Sequence, residues 1–290
     1  MLIQRIRRKV YKALHPVVGE IWCLHRVVEQ RSPMPSNREL EVTPAFLDKK
    51  IAEAKERGCR FVDLGTFMEA ARQRKPQKLV NVTFDDGFAD IYTHAFPLLQ
   101  ARQIPFTLYL TTDMPDGKAD LWWLQLEAWA KGDSSLFEKS LKQCYAQPGN
   151  MRETMHTLTQ TTVDESLCRK HSLTWEQIAE MVASGLCTVG SHTVTHPGLT
   201  RIAPDAVADE LTRSAQTIEQ HLGQRPLHFS YPHSFSDESI IQQVKESGYQ
   251  TAALGYGIGC NACQRGVRHG VRTHGAEPRG DHLFYLFPGE

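Results

Sequence analysis

At 290 residues the chain is long enough to bury one large core, and α/β barrels of this size commonly form a single domain. Lys and Arg total 33, as do Asp and Glu, so the charge balance gives no electrostatic case for nucleic acid as a partner. The cysteines (Cys23, Cys59, Cys144, Cys168, Cys187, Cys260 and Cys263) are scattered in a chain too large to need staples, which fits a reducing compartment better than a disulfide framework.

In chain order, residues 2–14 carry Leu2, Ile3, Ile6, Val10 and Leu14 at helical spacing, with Arg5, Arg8, Lys9 and Lys12 on other faces. This basic amphipathic pattern suits peripheral contact with a membrane surface, but so short a segment is read first as an ordinary helix packed on the domain. No uninterrupted apolar run follows these charges before His15-Pro16, and no stretch reaches the ~18 apolar residues of a spanning helix. The expected location is the cytoplasm, with peripheral placement at the inner membrane face as the variant.

A first strand is predicted over 20–24, ending at His25-Arg26. A helix over 44–57 follows, with Thr43 as N-cap and Pro44 at its first position. Then come a short strand at Phe61-Val62, a helix over 66–73, a strand over 79–84, a helix around 89–102 and a strand over 106–110. After a break, a helix from Trp175 to Ser184 leads into strand 187–189. Helix 204–222, strand 227–231, helix 237–247 and strand 251–254 complete the series. Repeated strand–helix units predict parallel strands with crossover helices, and one domain over 1–290 with a core over about 20–255. Between Asp113 and Ser172 the rhythm fails, and the stretch reads as a helical insertion after a strand.

Two motifs carry chemistry. Asp85-Asp86-Gly87 follows the apolar strand 79–84, and Ser191-His192-Thr193-Val194-Thr195-His196 follows strand 187–189. Alone, Asp-Asp-Gly also describes an ordinary turn. Together, one carboxylate and two imidazoles make a three-ligand set for a divalent metal with positions left open, and the other carboxylate remains free as a base. Both motifs fall at strand C-terminal ends, where barrel enzymes build their sites.

Thr83-Phe84-Asp85-Asp86-Gly87 with Ser191–His196 resembles the first two motifs of the polysaccharide deacetylases, the NodB-homology group. Phe229-Ser230-Tyr231-Pro232 resembles the third motif, and Leu173–Ile178 the segment before the second. Trp22-Cys23-Leu24-His25-Arg26-Val27 resembles the Tyr-His-Arg-Val opening of one branch. The resemblance implies a distorted (β/α) barrel and hydrolysis of an N-acetyl, sometimes O-acetyl, group on a carbohydrate. By motif position it implies Asp85 as general base, Asp86, His192 and His196 as metal ligands, and the Tyr231 N–H as oxyanion donor. It implies His25 as general acid, with His269, His274 and His282 as C-terminal rivals. Arg272 is the candidate for the arginine that steers the base.

Zn²⁺ is the metal expected, and the same ligands suit Co²⁺, Ni²⁺ or Fe²⁺. The implied partner is an N-acetylated sugar, an oligosaccharide or a lipid- or nucleotide-linked sugar, in the synthesis of a surface glycan, exopolysaccharide or lipopolysaccharide. Two alternatives stand beside this: hydrolysis of another amide or imide on the same fold, and a carbohydrate-binding protein without activity. The chain departs from the branch at Leu24, where Tyr is usual, and at His233-Ser234, where an aromatic and Gly are usual. Trp122, Trp123 and Trp129 form either a sugar platform or the insertion's own core. Cys260 and Cys263 read as thiols in a loop in preference to half a zinc knuckle, and His94, His156, His171 and His221 as structural. The sequence is silent on oligomeric state.

Overall fold

The computed structural model describes residues 19–73, 77–147 and 150–254, and the backbone of 271–273 and 283–286. The readings placed on residues 2–14, Cys260, Cys263, His269, His274 and His282 lie outside the described residues.

The strands are β1 (Gly19–Leu24), β2 (Arg26–Val27), β3 (Glu41–Val42), β4 (Arg60–Phe61), β5 (Leu79–Asp86), β6 (Phe106–Leu110), β7 (Cys187–Ser191), β8 (His228–Ser230), β9 (Thr251–Leu254), β10 (Val271–Thr273) and β11 (Leu283–Leu286). One sheet runs β10-β1-β5-β6-β7-β8-β9-β11, with β4 paired to the start of β5. All its pairs are parallel except β9 with β11. The sheet is curled into a half-barrel, the distorted (β/α) architecture that the alternating pattern predicts. β2 and β3 form a small separate pair.

The period of two along each strand separates two kinds of core. Trp22 and Leu24 of β1, Val80, Val82 and Phe84 of β5, and Phe106, Leu108 and Leu110 of β6 face outward. They pack with Leu47, Ile51 and Ala54 of the helix Pro44–Glu56 and with Ile178 and Met181 of the helix Trp175–Ala183. Each such fully buried side chain contributes about 1.5–3 kcal/mol of transfer free energy. The intervening residues face inward: Ile21, Leu79 and Tyr109 meet Phe67 and Met68 of the helix Leu64–Arg72, which closes the end where the strands begin. The inner face carries polar groups partway along, at Asn81 and Thr107, and Thr83 and Asp85 nearer the C-terminal end of β5.

Local signals behave as their chemistry requires. The Thr43 hydroxyl caps the helix Pro44–Glu56 by accepting from the Phe46 N–H, and Thr174 with Gln177 forms a capping box on Trp175–Ala183. Helix Pro204–Leu222 ends at Gly223 with φ +73°, where no side chain has to be accommodated. The predicted helix 89–102 is instead one π turn, Ile91–Ala95, followed by a helix over Phe96–Ala101. Pro97 has no N–H to donate back into the preceding turn, so the regular ladder fails there.

Between β6 and the helix Trp175–Ala183 lie four helices, Trp122–Ala130, Ser134–Ala146, Met151–Thr159 and Glu165–His171. The first three enclose a core of their own containing Trp122, Leu126, Phe137, Leu141 and Met155, with Trp129 packed against it. Among the described residues no helix is long and apolar enough to cross a membrane.

Candidate active site

The C-terminal ends of β1, β5, β7 and β8 converge. Asp85, on the inner face of β5, accepts a hydrogen bond at Oδ2 from the Ser230 hydroxyl of β8 at 3.1 Å. At Asp86 the backbone leaves the extended region, with φ +75°, and Gly87 continues the turn at φ +116°. A Cβ at residue 87 would sit 2.7 Å from Leu110 Cδ1, so the position requires glycine.

His192 leaves β7 with its N–H on the Leu110 carbonyl at 2.9 Å. Its Nδ1 lies 2.8 Å from the Ser230 carbonyl, which can only accept, so Nδ1 carries the proton and Nε2 presents a lone pair. That Nε2 is 3.5 Å from Asp86 Oδ1. The loop beyond is pinned by Glu210 of helix Pro204–Leu222, whose carboxylate accepts from the N–H groups of Val194 at 2.7 Å and Thr195 at 3.0 Å. The Arg152 guanidinium holds the Thr195 carbonyl from the other side. So anchored, His196 places Nε2 3.4 Å from the same Asp86 oxygen.

These contacts are not ion pairs. Burial pushes the His192 imidazole down to about 3 and that of His196 well below its ordinary value, so both rings are neutral. Burial likewise pushes Asp85 and Asp86 up to about 7, with Asp86 raising Asp85 further, while His25 lowers Asp85 and Arg26 lowers Asp86. Asp86 Oδ1 is buried without a hydrogen-bond partner, facing two nitrogen lone pairs. The three donor atoms lie within 4.8 Å of one another. Acceptors gathered this way repel unless a cation sits among them, and an O, N, N set fits a divalent ion of the zinc group.

On the other side of Asp85 stand Cys23 and His25 of the β1 end. Burial lowers the His25 imidazole, and the Asp85 carboxylate opposes that shift. Arg26 turns into a largely buried cluster: Nε meets Asp90 at 2.9 Å, Nη1 meets Glu41 at 3.1 Å, and the guanidinium lies 4.8 Å from the centre of the Phe88 ring. Asp90 also accepts from the Val27 N–H at 2.8 Å, which ties the β1 end to the turn after Asp85-Asp86.

Asp86, His196, Trp123, Asp120 and Arg152 line a cavity between the strand ends and the helices after β6. Of the three tryptophans singled out in this segment, Trp122 and Trp123 both line this cavity, Trp123 at 6.0 Å from the His196 ring and Trp122 from within the helices' own core, whereas Trp129 packs against that core. His233 has φ +53° and sets its ring 4.4 Å from that of His196. His156 meets Asp120 at 3.1 Å and His221 stacks on Trp175 at 4.0 Å.

Asp85, Asp86, His192, His196 and His25 thus come together. Two further site candidates lie along the sheet. The Tyr231 N–H donates to the Ala253 carbonyl at 3.0 Å. Arg272 pairs in register with Glu20, five residues before His25 on β1. That register puts its backbone about 16 Å from the strand end, at roughly 3.3 Å per residue. The arginine beside the acidic pair is Arg26. Residue-type reasoning missed Ser230, Glu210 and Asp90 as positioning groups. Ser230 lies within the Phe229–Pro232 match, whereas Glu210 and Asp90 left no local signal.

A parallel half-barrel with carboxylates and neutral imidazoles at its strand C-terminal ends defines an α/β-barrel protein with a metal-competent centre. A polysaccharide deacetylase family model matches residues 72–252, and the chain belongs to that family. The Bacillus subtilis (strain 168) protein YxkH, named for the same family, is 23% identical over 180 residues, covering 62% of this chain and 46% of that protein. The poly-beta-1,6-N-acetyl-D-glucosamine N-deacetylase of Escherichia coli (strain K12) is 28% identical over 158 residues, 54% of this chain and 18% of that protein. The chain therefore spans less than half the length of either relative. The solved structure of IcaB from Ammonifex degensii superposes with a TM-score of 0.55 at 25% identity, covering 82% of this chain and 84% of that one.

Proposed function

We propose that the protein is a metal-dependent N-deacetylase acting on an N-acetylated sugar, in an oligosaccharide or on a lipid or nucleotide carrier, within surface-glycan synthesis. The observation that carries this reading is the division of the acidic pair. Asp86 presents one oxygen to both His192 and His196, at 3.5 and 3.4 Å, while Asp85 stands further from them, 4.0 Å from His192, beside Ser230 and His25. The E. coli relative's substrate, an N-acetylated glucosamine polymer, supports the choice of an N-acetyl amide.

Asp86, His192 and His196 would hold the ion, which when bound polarises the acyl carbonyl and makes water more acidic. Asp85, oriented by the Ser230 hydroxyl, accepts a proton from the attacking water. His25, alongside Asp85 on the neighbouring strand, delivers a proton to the amide nitrogen as the C–N bond breaks. Amide plus water becomes amine plus acetate, and no other reactant is consumed. Trp123 and Asp120, in the cavity beside Asp86, offer an apolar face and a carboxylate to a sugar ring and its hydroxyls.

Metal content and acetate release over a panel of N-acetylated sugars test the reading. Asp85→Asn should keep metal and lose acetate release, whereas His192→Ala should lose both. A wild-type protein that binds metal and frees acetate from no sugar, yet hydrolyses other amides, would overturn the sugar assignment. Full activity in His25→Ala would remove the proposed acid.

A further inference from the structure

Cys23 has no part in the chemistry above, yet it lies on the inner face of β1, two residues before His25. Strand alternation points both side chains the same way. The parallel register pairs Cys23 with Thr83 and Leu24 with Phe84, so His25 falls alongside Asp85. One sulfur, one imidazole nitrogen and one carboxylate oxygen from these residues lie within 4.8 Å of one another. Zinc–ligand bonds of ~2.0–2.3 Å in tetrahedral geometry need donor atoms roughly 3.3–3.6 Å apart, a closure within the reach of side-chain rotation. The set shares no residue with Asp86, His192 and His196.

We propose that Cys23, His25 and Asp85 form a second site for a soft divalent cation such as Zn²⁺ or Cd²⁺, whose occupation inhibits the enzyme. The inhibition rests on the deacetylase reading, because it requires Asp85 and His25 to act as base and acid. A carboxylate whose oxygen is a ligand no longer accepts the water proton, and an imidazole whose nitrogen is a ligand no longer delivers one. The sulfur selects thiophilic cations over Mg²⁺ or Mn²⁺. Asp85 Oδ2 is 4.0 Å from His192 Nε2, so the two ions would be close neighbours. Their mutual repulsion makes the second site the weaker one, filled only at excess metal.

The test uses the full chain carrying Cys260→Ser and Cys263→Ser, stripped of metal and titrated with Co²⁺ and Cd²⁺ while bound metal, near-ultraviolet absorption and acetate release are followed. Two equivalents are expected. The second should bring a thiolate-to-metal charge-transfer band and at least a tenfold loss of acetate release. In Cys23→Ala the first equivalent should bind, activity should match the parent at low metal, and the band and the inhibition should both disappear. Cys23→Ser, nearly isosteric and a poor soft-metal ligand, should behave the same and guards against a packing defect in the alanine variant. One equivalent, normal acetate release and no sulfur band would overturn the second site alone. A second equivalent and inhibition that survive in Cys23→Ala would place that ion elsewhere. A protein that binds no metal would overturn the functional reading together with the second site.

Discussion

Removing Arg26 is the sharpest test of how the β1 end is held against the acidic pair. Its guanidinium bridges Asp90 at 2.9 Å and Glu41 at 3.1 Å, and all three side chains are at most 13% exposed. Arg26→Ala leaves two buried carboxylates without their cation, a defect that typically costs about 3–5 kcal/mol. Asp90 keeps the Val27 N–H and Glu41 keeps the Ser32 N–H, which pulls the figure toward the lower end. Loss of the cation over Phe88 adds about 0.5–1 kcal/mol, giving about 3–4 kcal/mol in all. Burial already raises both carboxyls; Arg26 is the largest opposing influence on Asp90, and on Glu41 it adds to the Ser32 N–H. In the variant their folded-state pKa values lie further above the unfolded ones, so the folded form binds more protons and stability falls as pH rises. The deficit should therefore widen from pH 5.5 to 8. Denaturant unfolding at several pH values measures it, with a shifted midpoint at an unchanged slope. Adding Asp90→Asn and Glu41→Gln to Arg26→Ala should recover stability and flatten the pH dependence. A loss below about 1 kcal/mol, or no recovery in the triple variant, would refute the buried-charge account.

Three further outcomes follow from single contacts. Ser230→Ala removes the hydroxyl that orients Asp85 but keeps the carbonyl that fixes His192. Acetate release should fall roughly tenfold or more, the scale of a hydrogen bond to a charged group, with metal content unchanged. Gly190→Ala would put a Cβ 2.7 Å from Tyr109 and 2.8 Å from the His228 carbonyl, and should lower stability by about 1–3 kcal/mol in thermal or denaturant unfolding. Burial lowers His228 from its ordinary 6.5 to about 4. The unfolded chain therefore takes up the proton first, and stability present above pH 6.5 is lost as pH falls toward 4, by about 3 kcal/mol. His228→Gln should lack that share of the acid slope in unfolding titrations from pH 7 to 4.

The elements that sequence pattern reveals are those whose cause is local. Helix Pro204–Leu222 carries its apolar stripe, its N-terminal proline and Gly223 within one window, and its limits match the structure. Asp86, His192 and His196 were legible because each follows an apolar strand closely enough to be placed at its end. Ser230, Glu210 and Asp90 were not, because their meaning is a partner far away in sequence: Ser230 and Asp85 are 145 positions apart, Asp90 and Arg26 are 64. The helices after β6 pack on each other as well as on the sheet, so no single apolar stripe announces them. Trp122 and Trp123 are adjacent in sequence and both reach the cavity, yet Trp122 is buried in the helices' own core while Trp123 also packs against the main core, a division that only the packing decides.

Two adjacent strand residues point to opposite faces, so an Asp-Asp pair in a regular strand would send one carboxylate inward and one into the outer core. The structure avoids this at Asp86, where φ of +75° turns the chain so that both carboxylates serve the inner side in different roles. Thr193, His196, His233 and Ser234 also have positive φ, between +53° and +71°. Such residues cost of order 1–3 kcal/mol each where the conformation is sparsely populated, and they persist only when surrounding bonds hold them. Here the bonds are visible: Glu210 and Arg152 on the Val194–Thr195 backbone, and the Thr193 hydroxyl on the His196 N–H at 3.1 Å. An ordinary Asp-Asp-Gly turn needs no second strained loop facing it. The concentration of left-handed backbone on both sides of one unpaired carboxylate oxygen is what separates a built centre from a turn.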